Sequence, residues 1–540
     1  MKGLVAVCLL GALLSFPPSV QAVTALSLQE GARMLADPAQ QKATLESLRQ
    51  NADPQWRAVL LALKEGALYS WNGKLLILDE EGNYAEVGGK PLLDAEGKPL
   101  TPEEGLEQVS LEEANIPLLQ QVVDLIDLFN GTAEARKAVA LKLANLRDMS
   151  LTHVLEQAQG REQAASVKAA LVAAIDKLRL SDPDPQVRRR AVEAFGASRS
   201  EAALGTLRDL LQTEPNAEVK SAIGTAVGRI EWTLRVRSVV GYAFNGLSLA
   251  SILLIMSIGL AVTFGLMGII NMAHGEMLML GSYTAYVIQE MFGRHWPLHQ
   301  DYYFLVALPL SVVTVGAVGL VLERCILRYL YGRPLESLLV TWGIGMMLQQ
   351  GARLYFGDQT SVSPPTWFRG GVEVMPGLIF PYSRIFIIAL SLACLAAVGL
   401  LLYRSTVGLR IRAVMQNRDM AACMGISTRR VDAFTFALGT ALAGVAGCAL
   451  SLIGTVDPEV GKTYIVDSFM VVVLGGVGKL LGTVLASFGI GMSNKLLEPA
   501  IGGTAAAVYS KVAILAAVIF FLQLRPTGLF PAKERGSETR

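Results

Sequence analysis

The chain has 540 residues, room for two or three domains. Hydrophobic residues make up 52% and charged residues 17%, the balance of a membrane protein that carries a soluble part. A formal net charge of +1 gives no global case for nucleic-acid binding, and five cysteines without a CxxC pair supply no dithiol redox or zinc motif.

Residues 1–22 read as a secretory leader. Lys2 supplies the positive start, Leu4–Leu14 a short apolar core, Pro17-Pro18 a break, and Val20-Gln21-Ala22 small residues for cleavage. The core is too short to span comfortably, and an uncleaved anchor is the alternative. On either reading the chain from Val23 onward is exported. Cys8 lies in this leader, and Cys325, Cys394, Cys423 and Cys448 fall in the C-terminal half. The segment from Val23 to Tyr242 therefore holds no intramolecular disulfide.

Residues 23–235 contain no apolar run that approaches a span. Leu26–Glu65 predicts helices broken at Asp37-Pro38 and Asp53-Pro54. Ala67–Val87 predicts strands, with Asn72-Gly73 as a hairpin turn and Gly82-Asn83 and Gly88-Gly89 as later punctuation. From Thr101 to Ile230 the pattern is helical again. Within residues 182–230, Asp184-Pro185-Gln186-Val187-Arg188 through Ala194-Phe195-Gly196 recurs about 32 residues on, at Val219-Lys220 and Ala226-Val227-Gly228. This resembles a HEAT-type repeat, in which each helical hairpin buries its apolar face on the next. A plain helical bundle is the alternative. His153 stands alone, with no nucleophile to pair with, and reads as a surface or packing residue.

Candidate spans follow from Tyr242. Phe244–Met267 runs inward, Glu276–Met291 outward, Tyr303–Leu322 inward, Leu335–Phe356 outward, and Ile385–Leu402 inward. The next stretch, residues 403–432, holds Arg404, Arg410, Arg412, Arg418, Arg429 and Arg430, and from Tyr403 to Arg430 the single acid Asp419. Arginines between two spans place a loop in the cytoplasm. Leu409, Ile411, Val414, Met415, Met420, Cys423, Met424 and Ile426 interleave with the charges, so a short amphipathic helix is expected, built to dock something. An ordinary positive-inside loop is the alternative. Ala433–Ile453 then runs outward, and Val512–Leu524 inward to a cytoplasmic tail at residues 531–540 that carries Lys533, Arg535 and Arg540.

Parity constrains the stretch between them. Val466–Leu497 must make no net crossing or two, and Gly475, Gly476, Gly478 and Gly482 interrupt its middle. Two short helices broken at the glycines satisfy the count, and broken helices often mark a transport path. The alternative is a glycine-rich helix packed closely on a neighbour. Val473 and Leu480 spoil a P-loop there, so ATP hydrolysis, if it drives transport, belongs to another subunit.

Between the first two spans, Asn271, His274 and Glu276 stand close together in an apolar setting. Such groups form a pathway or gate, or else a buried hydrogen-bond cluster that holds a helix break. The second option is favoured for His274 and Glu276, because one His-x-Glu is a poor metal signature. Thr341 and Gln349 are further hydrogen-bonding candidates inside a span. His295 and His299 flank Pro297 and read as loop.

Four segments together resemble the permease subunits of branched-chain amino-acid-type ABC importers: GLMGIINMAHGEMLMLGSY (265–283), GLRIRAVMQNRDMAACMGI (408–426), FALGTALAGVAG (436–447) and VVLGGVGKLLGTVLASFGIG (472–491). Leu524-Arg525-Pro526-Thr527-Gly528 fits as well, whereas Lys479-Leu480 departs from the pattern. The long exported segment ahead of residues 240–530 is similar to the urea-importer branch. The resemblance implies an all-α polytopic permease with an exported, mainly helical N-terminal domain, in a bacterial inner membrane. It implies four partners: a second permease, two cytoplasmic ATPases that bind ATP and Mg²⁺, and a periplasmic substrate-binding protein. No cofactor and no enzymatic activity are expected in this chain. Arg410, Arg412, Asp419, Met420, Ala421, Ala422 and Gly425 would couple to the ATPases. Asn271, His274, Glu276, Thr341, Gln349, Gly475, Gly476 and Gly478 would line or gate the path of urea, or of a branched-chain amino acid or short amide. A membrane-anchored scaffold is the alternative of another class.

Overall fold

The computed structural model describes residues 33–530, apart from 51–52, 72–73, 80–82, 88–89, 93–105, 147, 269 and 332. Residues 1–22, expected as a leader, residues 531–540, expected as a cytoplasmic tail, and the expected turn residues Asn72-Gly73 lie outside the described residues. The chain forms two compact units, Met1–Thr233 and Leu234–Arg540.

The first unit starts with helices α1 (Pro38–Gln50) and α2 (Arg57–Glu65). Five antiparallel strands follow: β1 (Leu68–Trp71), β2 (Lys74–Leu78), β3 (Tyr84–Glu86), β4 (Lys90–Pro91) and β5 (Leu106–Gln108), in the order β4-β3-β2-β1-β5. Trp71 opposes Lys74, so only two residues connect β1 to β2, as the Asn-Gly pair predicts. The hairpin is thus part of a larger sheet. Leu106–Gln108 pairs with β1 instead of opening a helix. Trp56, Leu60, Leu63 and Leu68 bury together with Leu119, Val122 and Ile126 of α3 (Ile116–Asn130).

Six helices complete the unit: α4 (Ala133–Asn145), α5 (Leu151–Arg161), α6 (Ala165–Arg179), α7 (Pro185–Ser198), α8 (Leu204–Thr213) and the start of α9 (Ala217–Met267). They form two copies of one three-helix cassette, offset by 52 residues. Leu143 and Phe195, Leu155 and Leu207, Val167 and Val219, Leu171 and Ile223, Ala174 and Ala226, and Leu178 and Ile230 are buried counterparts. The same clamp recurs. Arg136 forks onto Glu162 (2.8 and 3.1 Å), and Arg188 forks onto Glu214 (2.7 and 3.1 Å). Each Arg also donates to a carbonyl ahead of its own helix, Gly131 or Asp182. The Arg188 guanidinium holds the Glu214 carboxyl below its usual range. The 32-residue recurrence in the sequence is the spacing from the first helix to the third within a cassette. It corresponds to the capped starts at Asp184 and Asn216. His153 is exposed on α5.

The second unit is a helical bundle. It contains the end of α9, then α10 (His274–His295), α11 (Tyr303–Cys325), α12 (Pro334–Phe356) and α13 (Tyr382–Arg404). Two connector helices, α14 (Thr406–Gln416) and α15 (Arg418–Cys423), lead to α16 (Thr428–Leu450), α17 (Val460–Gly475), α18 (Leu480–Ile501) and α19 (Ala506–Leu524). Between α12 and α13 the chain adds a hairpin, β6 (Gly371–Met375) and β7 (Leu378–Pro381). Among the described residues six helices are long and apolar enough to cross a membrane. Helices α10 and α12, both expected as spans, have the length but carry Glu276, Glu290 and Arg294, or Glu336, Gln349 and Arg353. Helix α16 is the buried centre. A Cβ on Gly281 or Gly447 would fall into the backbone of Gly444 or Leu278, so α10 and α16 pack backbone to backbone.

Each end of the bundle is stitched separately. At one end Leu529 N–H donates to the Leu474 carbonyl (2.8 Å), and a Cβ on Gly265 would meet Gly478 Cα at 2.8 Å and Met415 Cε at 3.1 Å. At the other, Thr360 and Val456 exchange backbone hydrogen bonds of 2.9 Å, and Arg353 reaches Glu459 at 3.0 Å. Val466–Leu497 divides at the glycines as parity requires. However, α18 has 22 residues, so only α17, with 16, is short.

Candidate functional site

The connector between α13 and α16 is two capped helices, not the single one expected. Ser405 Oγ accepts from Gly408 N–H (3.0 Å) to start α14, and Asn417 Oδ1 accepts from Met420 N–H (3.0 Å) to start α15. Asn417 leaves helical geometry to cap the second helix, so it ends the first. Helix α15 closes in a Schellman motif: Ile426 N–H donates to Ala421 and Gly425 N–H to Ala422, both at 3.0 Å. Gly425 sits at φ +82, which favours glycine there.

One face of the connector is buried through Ile411, Val414 and Ala421. Arg410, Asp419, Met420, Ala422 and Gly425 are exposed together with Leu409 and Met424, and Arg412 is exposed where it lies over the Tyr403 ring. Met420 is 59% and Met424 79% exposed, an apolar pair held out among cations. Of the expected coupling residues only Ala421 points inward.

Sequence reasoning missed what holds this connector down. Arg418 pairs with Asp432, whose side chain is fully buried at the start of α16. The same guanidinium lies 5.0 Å from the centre of the Tyr331 ring, and Tyr331 donates to Glu323 Oε1 (2.7 Å). A lone acid at the mouth of an apolar span, beside a cluster of arginines, was the available signal. On the side facing the bundle, a cavity of about 90 Å³ is lined by Leu402, Arg412 and Met415 together with Gly478 and Leu480. The connector therefore touches the glycine break directly. In that break Gly476 and Gly478 have φ of +94 and +75, while a Cβ on Gly475 would meet the Gly482 backbone at 2.5 Å. Both expected uses of glycine coexist, the break at 476 and 478 and the close approach at 475 and 482.

The second break, at residues 268 and 270–273, is built from side chains. Gly268 ends α9 at φ +64. Asn271, almost wholly buried, accepts from Ala273 N–H (3.1 Å), and Thr341 Oγ accepts from Met272 N–H (3.1 Å). His274 Nε2 lies 3.2 Å from the Met256 carbonyl, which makes Nε2 the protonated nitrogen and leaves Nδ1 without a partner. Glu276 turns instead toward α12, where Gly345 leaves room for its carboxyl, and its Oε2 has no hydrogen bond. The two residues do not form one cluster. Positions two apart on a helix lie about 200° apart, so they serve different neighbours. Gln349 is also apart from the break, because its amide donates to Glu459 (3.3 Å) at the other end of the bundle. His295 closes α10, and His299 lies in the turn after it.

An ion pair between helices was also missed. Lys511 of α19 lies 3.2 Å from the buried Asp467 of α17, and Ser510, its neighbour in the chain, donates to Asn494 of α18 (3.1 Å). Their partners are many residues away in sequence, and no periodicity reports such a pairing.

Comparisons with known proteins bear on the two units differently. The model of a family described as "Branched-chain amino acid transport system / permease component" matches residues 242–522, just over half of the chain. A HEAT-repeat model matches residues 175–236. The high-affinity branched-chain amino acid transport system permease protein BraD of Pseudomonas aeruginosa is 29% identical over 295 residues, covering 54% of this chain and 95% of the relative. The corresponding protein LivH of Escherichia coli is 30% identical over 302 residues, with the same two coverages. LivM of E. coli, another permease protein of that system, is 26% identical over 310 residues, 53% of this chain and 69% of its own. No solved structure matches the chain. The chain belongs to the branched-chain amino acid transport system permease family.

Proposed function

We propose that this chain is the permease subunit of an ATP-driven importer that moves a small polar solute, urea, inward across a bacterial inner membrane. The observation that carries the reading is the connector. It presents Met420, Met424 and Arg410 outward, it is anchored through Arg418 to α16, and its Met415 rests on the glycine break. A push on the exposed face reaches α17 and α18 through that contact. ATP and Mg²⁺ belong to two separate ATPase subunits that grip Arg410–Gly425. A second permease and a periplasmic binding protein complete the assembly, and residues 23–235 lie on the exported side. Polar groups buried inside the bundle argue against a mere anchor for a scaffold.

Urea is neutral and is recognised by hydrogen-bonding groups without a counter-charge. Asn271, at the side-chain-built break, is the group assigned to its path, while the Thr341 hydroxyl is engaged with the Met272 N–H and its own helix. The second reading is a branched-chain amino acid, which the names of the relatives favour. Uptake of labelled urea by the reconstituted assembly, with leucine as competitor, separates the two. Saturable urea uptake indifferent to leucine is expected. Leucine uptake without urea uptake would reject urea.

A further inference from the structure

Helix α12 buries its polar face and exposes its apolar one, as a helix in lipid does. The buried face is Ser337, Thr341, Gly345 and Gln349, each four residues from the last and together about 18 Å of helix. The exposed face carries Leu339, Trp342, Met346, Met347 and Leu354. Two of the buried side chains are engaged with their surroundings. Thr341 accepts from Met272 N–H at the side-chain-built break, and Gln349 donates to Glu459 at the other end of the bundle. Between them Gly345 has no side chain, and Glu276 of α10 fills the place. A Cβ on Gly345 would lie 3.0 Å from both Cδ and Oε2 of that carboxyl.

Glu276 stands apart from the other acids buried in the bundle. Among the described residues there are three more: Asp432 pairs with Arg418, Asp467 with Lys511, and Glu323 accepts from Tyr331. Glu276 is 8% exposed, and its Oε2 is buried with no hydrogen bond. Lys462, exposed on the first turn of α17, attracts it without pairing. The backbone beneath the carboxyl is nevertheless fixed. A Cβ on Gly275 would meet the Gly461 carbonyl oxygen at 2.5 Å, and one on Gly461 would lie 3.0 Å from Glu276 N, so α10 packs backbone to backbone on the start of α17. A buried acceptor without a donor is costly. Bonding between helices accounts for Thr341 and Gln349, but not for an oxygen that bonds to nothing.

We propose that Glu276 is a specificity-determining residue of the transport path, whose free oxygen accepts an N–H of the solute as it passes between α10 and α12; this rests on reading the chain as a transport permease. The seam is closed in this conformation, so the solute reaches the oxygen when α12 parts from α10. A glycine opposite the oxygen brings no donor of its own, and the solute supplies it. The solute class is one that presents N–H donors. Urea offers two on one edge, a fork that suits a carboxyl, and an amino acid offers its ammonium.

The test uses the transporter with all its subunits in proteoliposomes. It reads labelled urea and labelled leucine moved per ATP, with the melting temperature alongside. Glu276→Ala should lower the solute moved per ATP about tenfold, the worth of one hydrogen bond to a charged group, with no loss of melting temperature. Glu276→Gln keeps one acceptor oxygen. It should restore part of the loss for urea and none for an ammonium. Gly345→Ala retains the carboxyl but sets a methyl against Oε2, and should lower the ratio as well. Met347→Ala, on the exposed face, should leave it unchanged. An unchanged ratio with Glu276→Ala, or a lower melting temperature with the ratio kept, overturns the proposal. If Glu276→Ala does not fold, Gly345→Ala decides by the same ratio. Urea moved equally by the native chain and by Glu276→Ala rejects Glu276 alone. Leucine moved in place of urea rejects the urea reading alone, and Glu276 is then judged on leucine. Movement of neither solute rejects both.

Discussion

The bundle contains two interruptions of its helices, and they are made from opposite materials. Residues 268 and 270–273 are held by Asn271, Thr341 and a buried histidine that bonds to a carbonyl of α9. Residues 476–479 are held by almost no side chains; positive φ at two glycines makes the bend, and backbone packing at Gly475 and Gly482 closes it. A bend fixed by directed hydrogen bonds has one geometry. A bend made by glycine has several conformations of similar energy. The glycine bend meets the connector at Gly478, where Met415 Cε lies 3.2 Å from the place of a Cβ. The same topological device thus serves once as a fixture and once as a joint.

The largest expected effect comes from stiffening the joint. Gly475→Leu drives a side chain into the Gly482 backbone. It should cost ~3 kcal/mol, at the upper end for overpacking, with loss of uptake. A melting temperature close to that of the native chain in nanodiscs would refute the packing half of the comparison. Next comes Arg418→Ala, which leaves Asp432 buried and unpaired. Breaking a buried pair costs about 3–5 kcal/mol, but Arg418 is 37% exposed, so roughly 2 kcal/mol is expected. ATP hydrolysis by the assembled complex should persist while the solute moved per ATP falls; an unchanged ratio would argue that the anchor is dispensable.

Thr341→Val strips the acceptor from Met272 N–H at the fixture, at a cost of about 1–2 kcal/mol. Stability should drop with the transport-to-hydrolysis ratio intact. A fall in that ratio would show that the fixture moves too. The smallest effect is Met415→Ala, which removes the half-buried contact onto Gly478 for less than ~1 kcal/mol. Here the ratio, measured against native protein, should fall while the melting curve barely shifts, the reverse of the threonine variant.

Much of this arrangement was legible in the sequence. The glycine break, the arginine connector and the order of the helices follow from local composition and parity. Other features were not. Asn417 reads as one more polar residue until its side chain is seen capping a second helix. The 32-residue recurrence is legible because α7 and α9 both open on a capped, similarly patterned turn, and a HEAT-repeat model covers both. The longer 52-residue relation is not, because the clamps that mark it join Arg136 to Glu162 and Arg188 to Glu214, pairs 26 residues apart that no helical periodicity reports. The divergence of His274 from Glu276 was within reach, since 100° per residue already separates them. Asp467 and Lys511 were not, since their pairing depends on how three helices return through the bundle.

The thiols have a practical consequence. Cys423 is exposed on the second connector helix and Cys325 is exposed at the same end of the bundle, whereas Cys448 is buried in the central helix. The native chain therefore carries its own reporter of orientation. A membrane-impermeant maleimide applied to sealed right-side-out vesicles should spare Cys325 and Cys423, and inverted vesicles should give both up to the reagent, without a single engineered residue.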